Sequence, residues 1–186
     1  MRKLSAFTHV SLDGYFRDLG GDTSWAKHGA DEEFDAFTTE NARGGGVLLF
    51  GRVTYEMMSG FWPTPQAAAM LPTVAERMNA LPKVVFSRTL AAPSWNNTTL
   101  VGTDAANEIA RMKGQPGPGM VILGSGSLVA QLSDAGLVDE YQVVVNPVLL
   151  GSGRTPFEGL KHRLPLSLTQ SRTSRNGKLF LRYERE

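Results

Sequence analysis

Short apolar runs recur through the first two thirds of this chain, each separated from the next by a segment of helical character. Val47 to Phe50 (VLLF), Lys83 to Phe86 (KVVF) and Met120 to Leu123 (MVIL) carry apolar residues on both sides of the pleat. Leu4 to Leu12 (LSAFTHVSL) alternates only imperfectly. Such runs are strands buried on both faces, the composition of a parallel sheet. Parallel strands need crossovers, and helical stretches stand where crossovers belong: Asp31 to Ala42, Val53 to Met58, Thr73 to Ala80, Asp104 to Met112 and Leu128 to Ala135. Asp104 is a plausible cap, and Phe61 to Pro65 reads as a break.

The last third changes character. Glu140 to Val145 is a strand that stops at Asn146-Pro147. Leu166 to Ser174 and Lys178 to Glu184 alternate in polarity, and Asn176-Gly177 joins them as a hairpin. The expected fold is therefore α/β: one mixed sheet, mostly parallel, with helices on both faces and an antiparallel C-terminal hairpin. No internal repeat or linker interrupts residues 1–186, so a single domain is expected.

Composition excludes several functions. The chain has 186 residues, 41% of them hydrophobic, enough for a sizeable core. It has no Cys, which removes disulfides, thiolate-bound zinc, iron–sulfur clusters and thiol catalysis. The net charge of +1 gives no broad footprint for nucleic acid. No segment approaches the roughly 20 apolar residues of a membrane-spanning helix. The N-terminus lacks a secretory pattern, so a cytoplasmic location is expected. His9, His28 and His162 share no metal-ligand spacing, and no metal is expected. Neither a nucleophile elbow nor a phosphate-loop motif is present.

Three strand ends share one form, an apolar strand that runs straight into a small or basic residue. VLLF runs into Gly51-Arg52, KVVF into Ser87-Arg88, and MVIL into Gly124-Ser125-Gly126-Ser127. Ligands of open α/β sheets bind beyond the carboxyl ends of the strands, so all three can open into one crevice. Amides at a helix start attract an anion, and guanidinium groups hold phosphate oxygens bidentately. Gly124-Ser125-Gly126 lacks the third glycine of the dinucleotide fingerprint, since Val129 stands there. Trp25, Trp62 and Trp95 suit core positions, and Asp13 with Gly14 suits a turn.

Ser11-Leu12-Asp13-Gly14-Tyr15, Gly51-Arg52-Val53-Thr54-Tyr55-Glu56, Phe86-Ser87-Arg88, Leu123 to Leu128, Asp139-Glu140-Tyr141, Pro147 to Gly153 and Pro156-Phe157 together resemble the RibD C-terminal-domain family. The resemblance implies the dihydrofolate reductase-like three-layer sandwich. It also implies NADPH as cofactor and a small-molecule substrate. The activity implied is like 5-amino-6-(5-phosphoribosylamino)uracil reductase or dihydrofolate reductase: hydride transfer to a pterin-like, ribosylaminopyrimidine-like or carbonyl compound. By the resemblance, Gly51, Arg52 and Thr54 contact cofactor phosphates, and Ser87 and Arg88 grip the 2′-phosphate. Gly124, Ser125, Gly126, Ser127, Leu128 and Val129 match the pyrophosphate turn, while Val10, Leu12 and Gly14 lie beside the nicotinamide. Asp13, on the substrate side, is the candidate catalytic residue, orienting a substrate or relaying a proton. The acids Asp31, Glu32 and Glu33 open the helix that faces the pterin in dihydrofolate reductases. A homodimer through Glu140 to Leu150 is expected, as is a stand-alone domain without the zinc deaminase of riboflavin relatives. The alternative is a non-catalytic dinucleotide-binding protein on the same scaffold.

Overall fold

The computed structural model of the chain describes residues 1–27, 36 and 46–186. The helix expected over Asp31 to Ala42, with its three acids, lies outside the described residues except for Ala36.

Eight strands form one sheet: β1 (Leu4–Ser11), β2 (Val47–Gly51), β3 (Lys83–Phe86), β4 (Thr98–Val101), β5 (Met120–Leu123), β6 (Glu140–Asn146), β7 (Leu166–Thr173) and β8 (Leu179–Arg185). Their order is β4-β3-β2-β5-β1-β6-β8-β7. From β4 to β6 all neighbours are parallel, while β8 runs antiparallel to both β6 and β7. The described helices are α1 (Arg52–Phe61), α2 (Pro65–Met70), α3 (Pro72–Ala80), α4 (Ala105–Lys113) and α5 (Gly126–Asp134), with a 3₁₀ turn at Ser24–Lys27.

The apolar run of β2 explains the three layers. Val47 and Leu49 enter a core with Ile109 of α4, Leu128 and Leu132 of α5, and Leu4, Ile122 and Tyr141 of the sheet. Leu48 and Phe50 point the other way, to Tyr55 of α1, Val74 and Met78 of α3, and Trp95. A strand sandwiched between two helical layers must be apolar at every position, and β2 is. Trp95 is core, as expected, its indole N–H donating to Asn79 Oδ1 at 2.7 Å and its amide N–H to Tyr55 Oη at 2.9 Å.

Helix boundaries differ from expectation: the helix expected over Val53 to Met58 runs Arg52–Phe61, and Pro65–Met70 forms an added helix. The Phe61–Pro65 break is real but brief, because Pro65 opens α2 and Thr64 caps it, its Oγ1 accepting Ala67 N–H at 3.2 Å. Proline at the first helical position costs nothing, since that N–H has no partner anyway. Also, α5 begins at Gly126 rather than Leu128, drawing two of the expected loop residues into the helix. The Asp104 cap forms as read, with Asn107 N–H at 3.0 Å. β6 has β1 on one side and β8 on the other, so both its edges are paired. At the tail of the Glu140–Leu150 segment Leu149 is exposed.

Candidate active site

Strands β3, β2, β5 and β1 are consecutive neighbours and parallel, so their carboxyl ends share one edge of the sheet. Those ends carry Ser87-Arg88, Gly51-Arg52, Gly124 to Ser127 and Ser11 to Gly14. Three interstrand spacings separate the outer pair, about 14 Å.

The β2 and β5 junctions are stitched together. Ser125 Oγ accepts Gly51 N–H at 3.0 Å and donates to Leu123 O at 3.1 Å. Ser125 N–H in turn donates to Thr54 Oγ1 at 3.2 Å. Gly124 and Ser125 are both left-handed, at φ +57° and +51°. Glycine adopts that conformation freely; serine does so at a cost that its two hydroxyl bonds offset. Ser125 and Thr54 thus build the turn, and their hydroxyls are already engaged. Leu128 and Val129 have their side chains in the core, and their amides bond to Ser125 O. The first-turn amides without a backbone acceptor among the described residues are those of Gly126 and Ser127, and Ser127 is exposed. With the dipole of the nine-residue α5, they make a cradle for an anion.

Gly126 has a second reason to be glycine. A Cβ there would lie 3.2 Å from the Phe16 ring and from Pro156 Cα. These belong to a strap in which residues 15–17 run antiparallel to 153–155. Phe16 N–H bonds Arg154 O and Arg154 N–H bonds Arg17 O, each at 2.9 Å.

Arg88 is exposed at the end of β3, and Ser87 Oγ accepts the amides of Thr89 (3.1 Å) and Leu90 (2.9 Å), shaping the turn that presents it. Arg52 is exposed and pairs with Glu56 one helical turn on, at 2.9 Å. An exposed pair of this kind contributes little and opens readily.

At the end of β1, Val10 is buried, Leu12 is exposed and Gly14 turns at φ +87°. Leu12 N–H bonds Val148 O at 2.8 Å. The Asp13 carboxylate accepts Ser11 Oγ–H at 2.6 Å, Gly151 N–H at 2.7 Å and a bifurcated Leu150 N–H at 3.1 and 3.2 Å. The Ser11 hydroxyl foremost, aided by the two amides, holds the Asp13 carboxyl below its ordinary value.

Asn146, Ser11 and His9 escaped the sequence reading. Asn146 ends β6 opposite Ser11, fully buried, its Nδ2 donating to Val10 O at 3.0 Å and Val144 O at 3.1 Å. His9 lies beside it on the Phe7 ring; burial, reinforced by the Lys178 charge, lowers its pKa to about 4. It is therefore neutral. The one sequence signal was a polar residue ending an apolar strand immediately before Pro147.

The loop after β1 lies across this edge. Thr23 Oγ1 meets Met57 Sδ of α1 at 3.9 Å, and Lys178 Nζ, at the start of β8, donates to Ala26 O at 3.0 Å. Among the described residues no three metal-ligating side chains cluster, and no described helix is long and apolar enough to cross a membrane.

Residues 2–180 match the model of the RibD C-terminal domain. YyaP of Bacillus subtilis (strain 168), an uncharacterized protein, is 26% identical over 90% of this chain and 87% of its own. The structure of a Shewanella sp. PV-4 protein provisionally assigned to riboflavin biosynthesis superposes with a TM-score of 0.75, at 22% identity and 99% coverage of both chains. A deaminase/5-amino-6-(5-phosphoribosylamino)uracil reductase of Thermotoga maritima superposes with a TM-score of 0.70 at 14% identity, over all of this chain and 57% of that one.

Proposed function

Because the chain belongs to the RibD C-terminal domain family, we propose that it is a pyrimidine-reductase-like oxidoreductase that uses NADPH to reduce a C=N or C=O of a small heterocycle. One observation carries this reading: four parallel strand ends, side by side, present two helix amides with no backbone acceptor among the described residues, flanked by an arginine with no acidic partner among them and by an apolar strand end. Fitted to that edge, the 2′-phosphate falls to Arg88 and the Ser87 turn, and the pyrophosphate to Gly126 and Ser127. The nicotinamide falls to Val10, Leu12 and Gly14. The remaining matched positions, Gly51, Thr54, Gly124, Ser125, Leu128 and Val129, shape the cradle, and Arg52 guards its rim. When bound, NADPH supplies the hydride from the nicotinamide C4.

The chain's own residues position and enclose the reactants. Leu12, Met57 and Leu149 expose apolar surface around the strand ends, suited to the faces of a flat ring. Asp13, ionised and holding three donors, orients the 147–151 loop rather than donating a proton. The reading extends to a homodimer and a cytoplasmic location; a monomer peak in sizing chromatography at micromolar concentration would contradict the former.

Fluorescence titration with NADPH and NADH tests the proposal. NADPH is expected to bind well below millimolar concentration and more tightly than NADH. Failure of both to bind overturns it. Oxidation of bound NADPH by a panel of pterins, aminopyrimidines and carbonyl compounds separates a reductase from a binding protein.

A further inference from the structure

Two arginines face one another on the strap over α5. Arg17 and Arg154 are the paired residues of its antiparallel bridge. Directly opposite residues send their side chains to the same side, where like charges repel. Arg154 has a partner, Glu158, at 3.2 Å on the open surface. Arg17 has no acceptor among the described residues, and its Nε is shut off from water. Asp18, next in the chain, turns its carboxylate to Asp22 N–H at 2.7 Å. The Arg17 guanidinium rests 5.6 Å from the centre of the Phe16 ring, a contact that orients the fork and supplies no acceptor to Nε.

The backbone gives Arg17 little freedom to escape. Gly153 crosses so closely that a Cβ would stand 2.4 Å from Arg17 O, and Phe16 is packed on Gly126. A cation whose buried Nε is unfilled, placed opposite a second cation, is costly. An oxyanion between them removes both costs.

We propose that Arg17 and Arg154 form a phosphate-binding subsite on the strap, beside the first turn of α5. Each guanidinium offers a planar fork matched to phosphate oxygens, and the helix dipole adds to the positive field. The phosphate is either free or carried by the compound in the cleft. The inference is independent of the reductase reading, because inorganic phosphate alone is the probe.

The test is an NMR titration of the full chain with inorganic phosphate at constant ionic strength. Saturable shifts are expected at the amides of Phe16, Arg17, Arg154 and Thr155, with chloride producing none. Arg17→Ala should weaken phosphate about tenfold or more, and Arg17→Lys, which keeps the charge and loses the fork, by less. No saturable shift in the unmodified chain, or the same affinity in both variants as in that chain, overturns the proposal. NADPH titration of Arg17→Ala then identifies the source. A weakened affinity assigns the subsite to the cofactor's phosphates, and an unchanged one, with phosphate binding lost, to a separate phosphate.

Discussion

Asp13 Oδ2 accepts the amide of Gly151 at 2.7 Å, joining positions 138 residues apart in the chain. This bond, with those from Leu150 and Ser11, ties the turn after β1 to the loop after β6. Both segments border the strand ends proposed to receive the nicotinamide, so the geometry of that half of the cleft depends on one carboxylate.

Asp13→Asn should therefore loosen the loop rather than remove a proton donor. The amide keeps one acceptor oxygen but turns an NH₂ toward groups that donate. Faster amide exchange at Leu150 and Gly151 is expected, with NADPH affinity little changed and any loss of turnover appearing mainly in KM. The carboxyl lies below its ordinary 3.8, so the anchor is complete above that value and is lost as pH falls through the lower folded value. Disappearance of an ionisation from the pH–rate profile of the variant would instead restore the proton relay.

Gly126→Ala tests the strap. The added methyl meets the Phe16 ring and Pro156 Cα at 3.2 Å, an overpacking worth about 1–3 kcal/mol. The urea midpoint should fall accordingly. Combining it with Phe16→Leu should recover part of the loss, because the two sites share one contact. Strict additivity would place the strain elsewhere.

Arg88→Ala should separate the two nicotinamide cofactors. Removing a charge-assisted contact to the 2′-phosphate costs about 1.5–3 kcal/mol, roughly tenfold or more in NADPH affinity. NADH, which lacks that phosphate, should be nearly unaffected. Equal loss for both cofactors would dissociate Arg88 from the 2′-phosphate.

Much of this architecture is local and was legible in the residues. Uniform apolar runs declared two-sided burial, Asn176-Gly177 declared the hairpin, and glycine or arginine after each run marked the strand ends that share one edge of the sheet. What escaped depends on contacts distant in sequence. Asp13 looked like a turn residue because its partners, Leu150 and Gly151, lie far along the chain. Gly126 looked like a phosphate glycine alone; the second reason for it was hidden because Phe16 and Pro156, which crowd it, come from two other segments. Ser125 and Thr54 looked like ligand contacts; in the fold Ser125 Oγ also joins β2 to β5, and Thr54 Oγ1 accepts the Ser125 amide. Lys83 opens the KVVF run, and its side chain is buried.

Lys83 gives the last prediction. Its Nζ donates to the carbonyls of Leu81 (2.7 Å), Asn79 (3.1 Å) and Asn96 (3.1 Å), and lies 4.5 Å from the centre of the Trp95 ring. These groups close the end of α3, where a cation also meets the negative pole of the helix. Burial nevertheless lowers its pKa from 10.5 to about 8. Between those values the unfolded chain holds a proton that the folded chain has released. Stability contributed by this group must therefore rise with pH from about 8 to 10.5 and be flat below. The full rise is on the order of 3 kcal/mol. Lys83→Met should remove that slope and lower stability at neutral pH, since three buried carbonyls lose their donor. Urea denaturation of both proteins at intervals from pH 7 to 10.5 gives the difference curve. A difference that stays constant across this range would show that Lys83 keeps its ordinary pKa in the fold.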